Sequence, residues 1–228
     1  MKKHLFLLML VVCTSPISAQ VSIGLSGGAN YSSWKWEVDN LPQDAYDFQP
    51  GFGWRAALLA EIPLQKQLKL RTELGTQVYT NKDDVSLIFP SDYLSGDLDG
   101  SQYRYRENYQ FWEVSVLAEV MPLPKISWLY VVAGATGGRL TKGWTSYKAL
   151  EPDKEQVTGG SIDVDNDNYH HNSFATDFGL GGNIPLGKSF KLKLESRFLY
   201  FFNELDDLDN VHSRISPVML NLACVYQL

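Results

Sequence analysis

Four alternating stretches of this chain carry eleven charged side chains, and within each stretch every charge has the same parity. In the first, Phe52, Trp54, Ala56, Leu58, Ala60 and Ile62 alternate with a set that includes Arg55 and Glu61. Next, Leu68, Leu70, Leu74 and Val78 oppose Lys69, Arg71, Glu73 and Gln77. Trp112, Val114, Val116, Ala118 and Val120 then oppose Glu113, Ser115 and Glu119, and Phe190, Leu192, Leu194, Phe198, Tyr200 and Phe202 oppose Lys191, Lys193, Glu195 and Arg197. Independent placement would give this agreement roughly once in 128 trials, so the stretches read as strands of period two. A helix would scatter the charges around its axis.

Two further strands follow the same rhythm. Near the start, Val21, Ile23, Leu25, Ala29 and Tyr31 share one parity, and at the end Val218, Leu220, Leu222, Cys224, Tyr226 and Leu228 do. Strands over about 126–140 and 173–184 are less cleanly patterned. Three near-copies of one turn separate strands: Ile62-Pro63-Leu64-Gln65-Lys66, Met121-Pro122-Leu123-Pro124-Lys125 and Ile184-Pro185-Leu186-Gly187-Lys188. Proline fixes the backbone there and stops the ladder. Long polar connections alternate with these turns, over residues 32–50, 81–108, 142–172 and 203–213. The count is eight antiparallel strands of about 11 residues each, running up and down.

Alternation alone leaves open which face meets what. In a water-soluble exported ligand-binding barrel the apolar parity points inward; in a transmembrane barrel it meets lipid and the charges line the lumen. The second arrangement is the expected one. Gly24, Gly28, Gly53, Gly75, Gly179 and Gly181 interleave with the charged parity, as a narrow filled interior requires. Aromatic residues gather at strand ends as two interfacial girdles, represented by Trp54, Trp112 and Tyr200 near the long loops and by Trp128, Tyr130 and Tyr226 near the short turns. An Arg or Lys facing the bilayer midplane would cost about 2–4 kcal/mol. Arg55, Glu61, Arg71, Glu73, Glu113, Glu119, Asp177, Lys193, Glu195 and Arg197 are therefore expected to form a charge network inside. Eight strands leave room only for side chains, so a general porin is not expected.

The N-terminus fits this reading. Lys2 and Lys3 precede an apolar run from Leu5 to Val12, and Ile17-Ser18-Ala19 ends the segment. Residues 1–19 read as a secretory signal peptide, leaving 20–228 as the barrel domain. The run is too short for a membrane helix, which needs roughly 20 apolar residues. Removing Cys13 leaves Cys224 as a lone thiol, a small apolar residue on a strand. A net charge of −6 argues against nucleic acid as a partner.

The chain resembles the small eight-stranded outer-membrane barrels, and among them the PorT-like "outer membrane protein beta-barrel domain" family. The likeness is carried by VSIGLSGGANYS, FWEVSVLAEV, KLKLESRFLYFF and LNLACVYQL. It implies the outer membrane of a Gram-negative envelope, with lipid and lipopolysaccharide as surroundings. It also implies that Leu222, Cys224, Tyr226 and Leu228 act as an assembly signal for the barrel-insertion machinery. The chain departs from the pattern by ending in Leu228, where such barrels usually end in an aromatic residue. Some members of the family are associated with secretion, so an envelope or secretion partner enters as an expectation.

Other motifs are weaker. Of the 26 acidic residues most lie in the long connections, among them Asp163, Asp165 and Asp167, whose spacing suits oxygen coordination of a calcium ion. The EF-hand glycine and glutamate are missing, which favours a solvated acidic loop. Arg104 and Arg106 continue the parity of Trp112 above the girdle, where guanidinium groups meet lipopolysaccharide phosphates; a plain basic strand edge is the other reading. His170, His171 and His212 are the histidines of the mature chain, and Ser173 and Asp177 lie close to His171 in sequence. Proximity in sequence is not a hydrogen-bonded triad. The expectation is a non-enzymatic barrel without cofactor, whose outer loops meet a partner or envelope component. A lipid-modifying enzyme is the alternative.

Overall fold

The computed structural model describes residues 21–38, 49–85, 103–123, 126, 128–149, 159–165, 169–205 and 211–228. The signal-peptide segment therefore lies outside the described residues. Eight long strands and one short one account for nearly all of the rest: β1 Ser22–Val38, β2 Gln49–Gln65, β3 Leu68–Val85, β4 Tyr103–Val120, β5 Leu129–Ala149, β6 Ser161–Ile162, β7 Asn172–Pro185, β8 Phe190–Phe201 and β9 Val211–Gln227. The long strands pair antiparallel in the order β1-β2-β3-β4-β5-β7-β8-β9, and β9 returns to β1, so the sheet closes. The two residues of β6 add to β5 at Gly143 and Trp144. Closure removes the free edges that an open sheet would expose.

The short connections lie where the proline motifs stand. β2 ends at Gln65 and β3 begins at Leu68, and β7 and β8 are joined through Gly187, whose φ of 107° no other residue adopts cheaply. Leu228 donates to the carbonyl of Val21, which ties the chain end to the start of β1 on this same side.

Opposite the short turns, the strands run further than the alternation suggested. The connections expected over 32–50, 81–108, 142–172 and 203–213 give way to strand up to Val38, Val85 and Ala149, and from Tyr103 and Val211. Strand lengths of 12 to 21 residues replace the expected eleven. Residues 81–84 of β3 are polar at both parities and carry no apolar periodicity, although Trp34, Trp36 and Val38 against Lys35 and Glu37, and the Tyr103–Arg106 alternation, do hint at the others. A bulge at Thr141, where Gln110 pairs with Lys142 and Phe111 with Leu140, keeps the β4–β5 ladder in step. The β8–β9 ladder, in contrast, stops at the Phe198–Val218 pair, one residue short of Pro217, which has no N–H to donate.

The orientation is that of a transmembrane barrel. Leu58, Leu74 and Val116 are 59%, 51% and 49% exposed, whereas Arg71 and Lys193 are each 1% exposed. A soluble ligand-binding barrel would show the reverse. From Phe190 to Tyr200 along β8, ten residues at about 3.4 Å each and about 40° of tilt span about 26 Å, the height of an apolar membrane band.

Candidate functional site: a filled lumen and its outer rim

All ten charges named for the lumen are buried inside the ring. They are joined in two levels. Nearer the short turns, the Lys193 ammonium sits between the carboxylates of Glu61 and Glu119, and lies 4.6 Å from the centroid of the Tyr130 ring. Lys69 joins the same pair, 2.8 Å from Glu119 and 3.4 Å from Glu61. One level further out, Glu73 accepts from three guanidinium groups: Arg55 at 2.6 Å, Arg71 Nε at 2.6 Å and Arg197 at 2.7 Å. Arg71 also forks onto Glu195, and Arg197 pairs with Asp177. Thr136 on β5 donates to Asp177 and bonds Ser115 on β4. Arginine suits this level because its planar fork serves two carboxylates at once.

Above the charges the lumen is apolar, which the alternation did not reveal. Tyr79, Tyr109, Phe111, Leu140, Ala175, Leu199, Phe201, Ile215 and Met219 form one buried cluster, closed from the connections by Val164 and Leu205. Tyr79 packs edge-on against Phe111 and Phe201 and donates to Glu113 at 2.6 Å, so it joins the apolar level to the ionic one. Val164 and Ile162 reach in beside Gly143; a Cβ there would stand 2.8 Å from Val164. The signal in the sequence was the Phe198–Phe202 run, where both parities of β8 turn apolar.

One girdle assignment is corrected. Trp54, Trp112, Trp128, Tyr200 and Tyr226 are exposed on the outer surface, but Tyr130 is fully buried in the lumen. The reason is local: Trp128 lies in the turn, β5 begins at Leu129, and from there the residues that share parity with Tyr130 point inward. Tyr130 fills the space left by Gly181, where a Cβ would lie 2.3 Å from its ring.

At the rim, His170 rather than His171 shares a small space with Ser173 and Glu204, lined also by Phe111, Phe201 and Leu205. Its volume of about 10 Å³ is room for one water and not for a substrate. Asp177, close to His171 in sequence, is committed to Arg197 and Thr136. Asp163 and Asp165 are exposed on either side of the inserted Val164, and the Asp165 amide donates to Asp163 Oδ1 at 3.3 Å. Asp167 and the His212 side chain lie outside the description. Among the described residues no group of three or more His, Cys, Asp or Glu side chains is arranged to hold a metal ion. Arg104 and Arg106 are half-buried on the outward parity of β4 above Trp112.

A closed antiparallel ring of eight strands with ionised groups around its axis and an apolar exterior defines the outer-membrane type of β-barrel. No protein-family model matches the chain, and no curated protein matches it. Among solved structures, similar folds include the outer membrane protein OprG from Pseudomonas aeruginosa, 10% identical over 92% of this chain and 96% of that one, with a TM-score of 0.48. Others are the Neisserial surface protein A, 10% identical over 92% and 97% with a TM-score of 0.43, and the outer membrane protease OmpT from Escherichia coli, 10% identical over 93% and 98% with a TM-score of 0.45.

Proposed function

We propose that this chain is a non-conducting, non-enzymatic outer-membrane barrel of a Gram-negative envelope, whose rigid wall holds acidic outer connections toward an envelope component or partner. One observation carries the reading: the lumen is filled twice over, by ion pairs that join facing walls and by an apolar cluster above them. A permeant solute would have to displace both. The enzymatic alternative finds only a water-sized space beside His170 and Ser173. Affiliation with the PorT-like group, recognition by the barrel-insertion machinery and any secretion partner rest on the sequence stretches named above. The test combines cell fractionation, boiling-dependent gel mobility and planar-bilayer recording. The reading expects outer-membrane recovery, a mobility shift on boiling and no steady conductance. A soluble periplasmic protein, or a stable open channel, would overturn it.

A further inference from the structure

Above the outer girdle, one side of the barrel is basic although the chain as a whole is acidic. Strands β3, β4 and β5 place their outward residues there in register. Trp112 pairs with Arg139, Gln110 with Lys142 and Val78, Asn108 with Trp144 and Thr80, and Arg106 with Ser146 and Lys82. Lys82 and Arg106 are thus direct cross-strand neighbours on one face, an arrangement that like charges make unfavourable unless an anion sits between them. Of the nearby carboxylates, Glu107 of β4 has the opposite parity and accepts from Tyr105 at 2.5 Å, whereas Asp84 of β3 shares the outward parity one register step further out, where it pairs with Arg104. Among the described residues, none of Lys82, Arg106, Arg139 and Lys142 is in an ion pair. Arg106 Nε is enclosed and has no hydrogen-bond partner among them. Two of the cations are held by rings: Lys82 lies 5.8 Å from the centroid of Phe52 and Lys142 5.7 Å from that of Trp144. Phe52 is exposed and stands in the outer girdle, which fixes the height of the patch at the headgroups of the outer leaflet.

We infer that Lys82, Arg106 and Lys142, with Arg139 at their lower edge, form a site for the phosphate of an outer-leaflet glycolipid whose acyl chains lie along the exposed face of β3–β5. Guanidinium and ammonium donors supply charge-assisted bonds to the phosphate oxygens, and the aromatic rings hold the cations at headgroup depth. The inference rests on the belt being embedded in a bilayer, as proposed above, and the test separates the two.

Full-length mature protein is folded into phosphatidylcholine vesicles and, separately, kept in detergent. Boiling-dependent mobility in the vesicles reports the barrel reading alone; its absence would overturn that reading. In detergent, the temperature of the mobility change is then followed against added lipid A, dephosphorylated lipid A of the same acyl composition, and inorganic phosphate. The expected result is a rise with lipid A only. The triple variant K82Q/R106Q/K142Q, folded as judged by its mobility, should bind lipid A about a hundredfold more weakly, because each interfacial cation contributes about one kcal/mol. R214Q, which removes a basic residue of β9 on another side of the ring, should bind as the parent does. An equal rise with the dephosphorylated lipid, an equal rise with inorganic phosphate, or full binding by the triple variant would each overturn the inference.

Discussion

Arg71 on β3 donates two hydrogen bonds to Glu195 on β8, at 2.7 and 3.1 Å, and the two strands stand diametrically opposite in the ring. The pair therefore works as a strut across the lumen. Buried ion pairs are poor sources of net stability but severe points of failure, since losing one partner strands the other in a dry interior. Glu195→Gln is expected to destabilise the folded barrel by about 3–5 kcal/mol. Urea unfolding in detergent, followed by tryptophan fluorescence, measures this. The double replacement R71M/E195M should lose clearly less than the sum of the single changes; additive losses would show that the strut is not a unit.

The apolar level makes a separate prediction. Phe201→Ala removes a ring packed against Tyr79 and should cost about 3–5 kcal/mol. Because the ionic level beneath stays intact, planar-bilayer recording of F201A should still give a baseline trace. Steady conductance in that variant would mean that the charges do not close the lumen by themselves.

Alternation exposed the charge network because its cost function is simple: Arg55, Arg71, Lys193 and Arg197 cannot face hydrocarbon, so one parity had to be interior. The same logic fails wherever that penalty is absent. Leu199 and Phe201 lie inward beside outward Phe198, Tyr200 and Phe202, and apolar residues on both faces give no contrast to read. The extension of β3 beyond Asn81, with Lys82, Asp83 and Asp84, is polar at both parities and gives no contrast for the converse reason. Tyr130 was misplaced because parity carries through a strand but not through a turn, and Trp128 lies in the turn.

Packing between Tyr130 and Gly181 gives a sharper test of that corrected position. Gly181→Ala is expected to cost about 1–3 kcal/mol, since the added methyl meets the ring. In a Tyr130→Ala background the same change should be nearly neutral. An equal cost in both backgrounds would place Tyr130 elsewhere.

Charges on the outer surface should be penalised by depth. Val116→Arg, near the middle of the exposed band, is expected to lower stability by about 2–4 kcal/mol in lipid vesicles, and Phe202→Arg, exposed just past the outer end of β8, by at most about 1 kcal/mol. Equilibrium unfolding in vesicles checks the pair, and equal losses would contradict a band of hydrocarbon at that height.

The orientation of the wall is measured most directly with spin labels, in a Cys224→Ser background, at Leu58→Cys, Leu74→Cys and Val116→Cys, with Ser115→Cys as the inward reference. In lipid vesicles the three outward labels should collide readily with oxygen and scarcely with a water-soluble nickel chelate, while the label at 115 is shielded from both. Outward positions reached by the chelate, or screened from oxygen as a packed core would screen them, would contradict an apolar exterior around an ionic lumen.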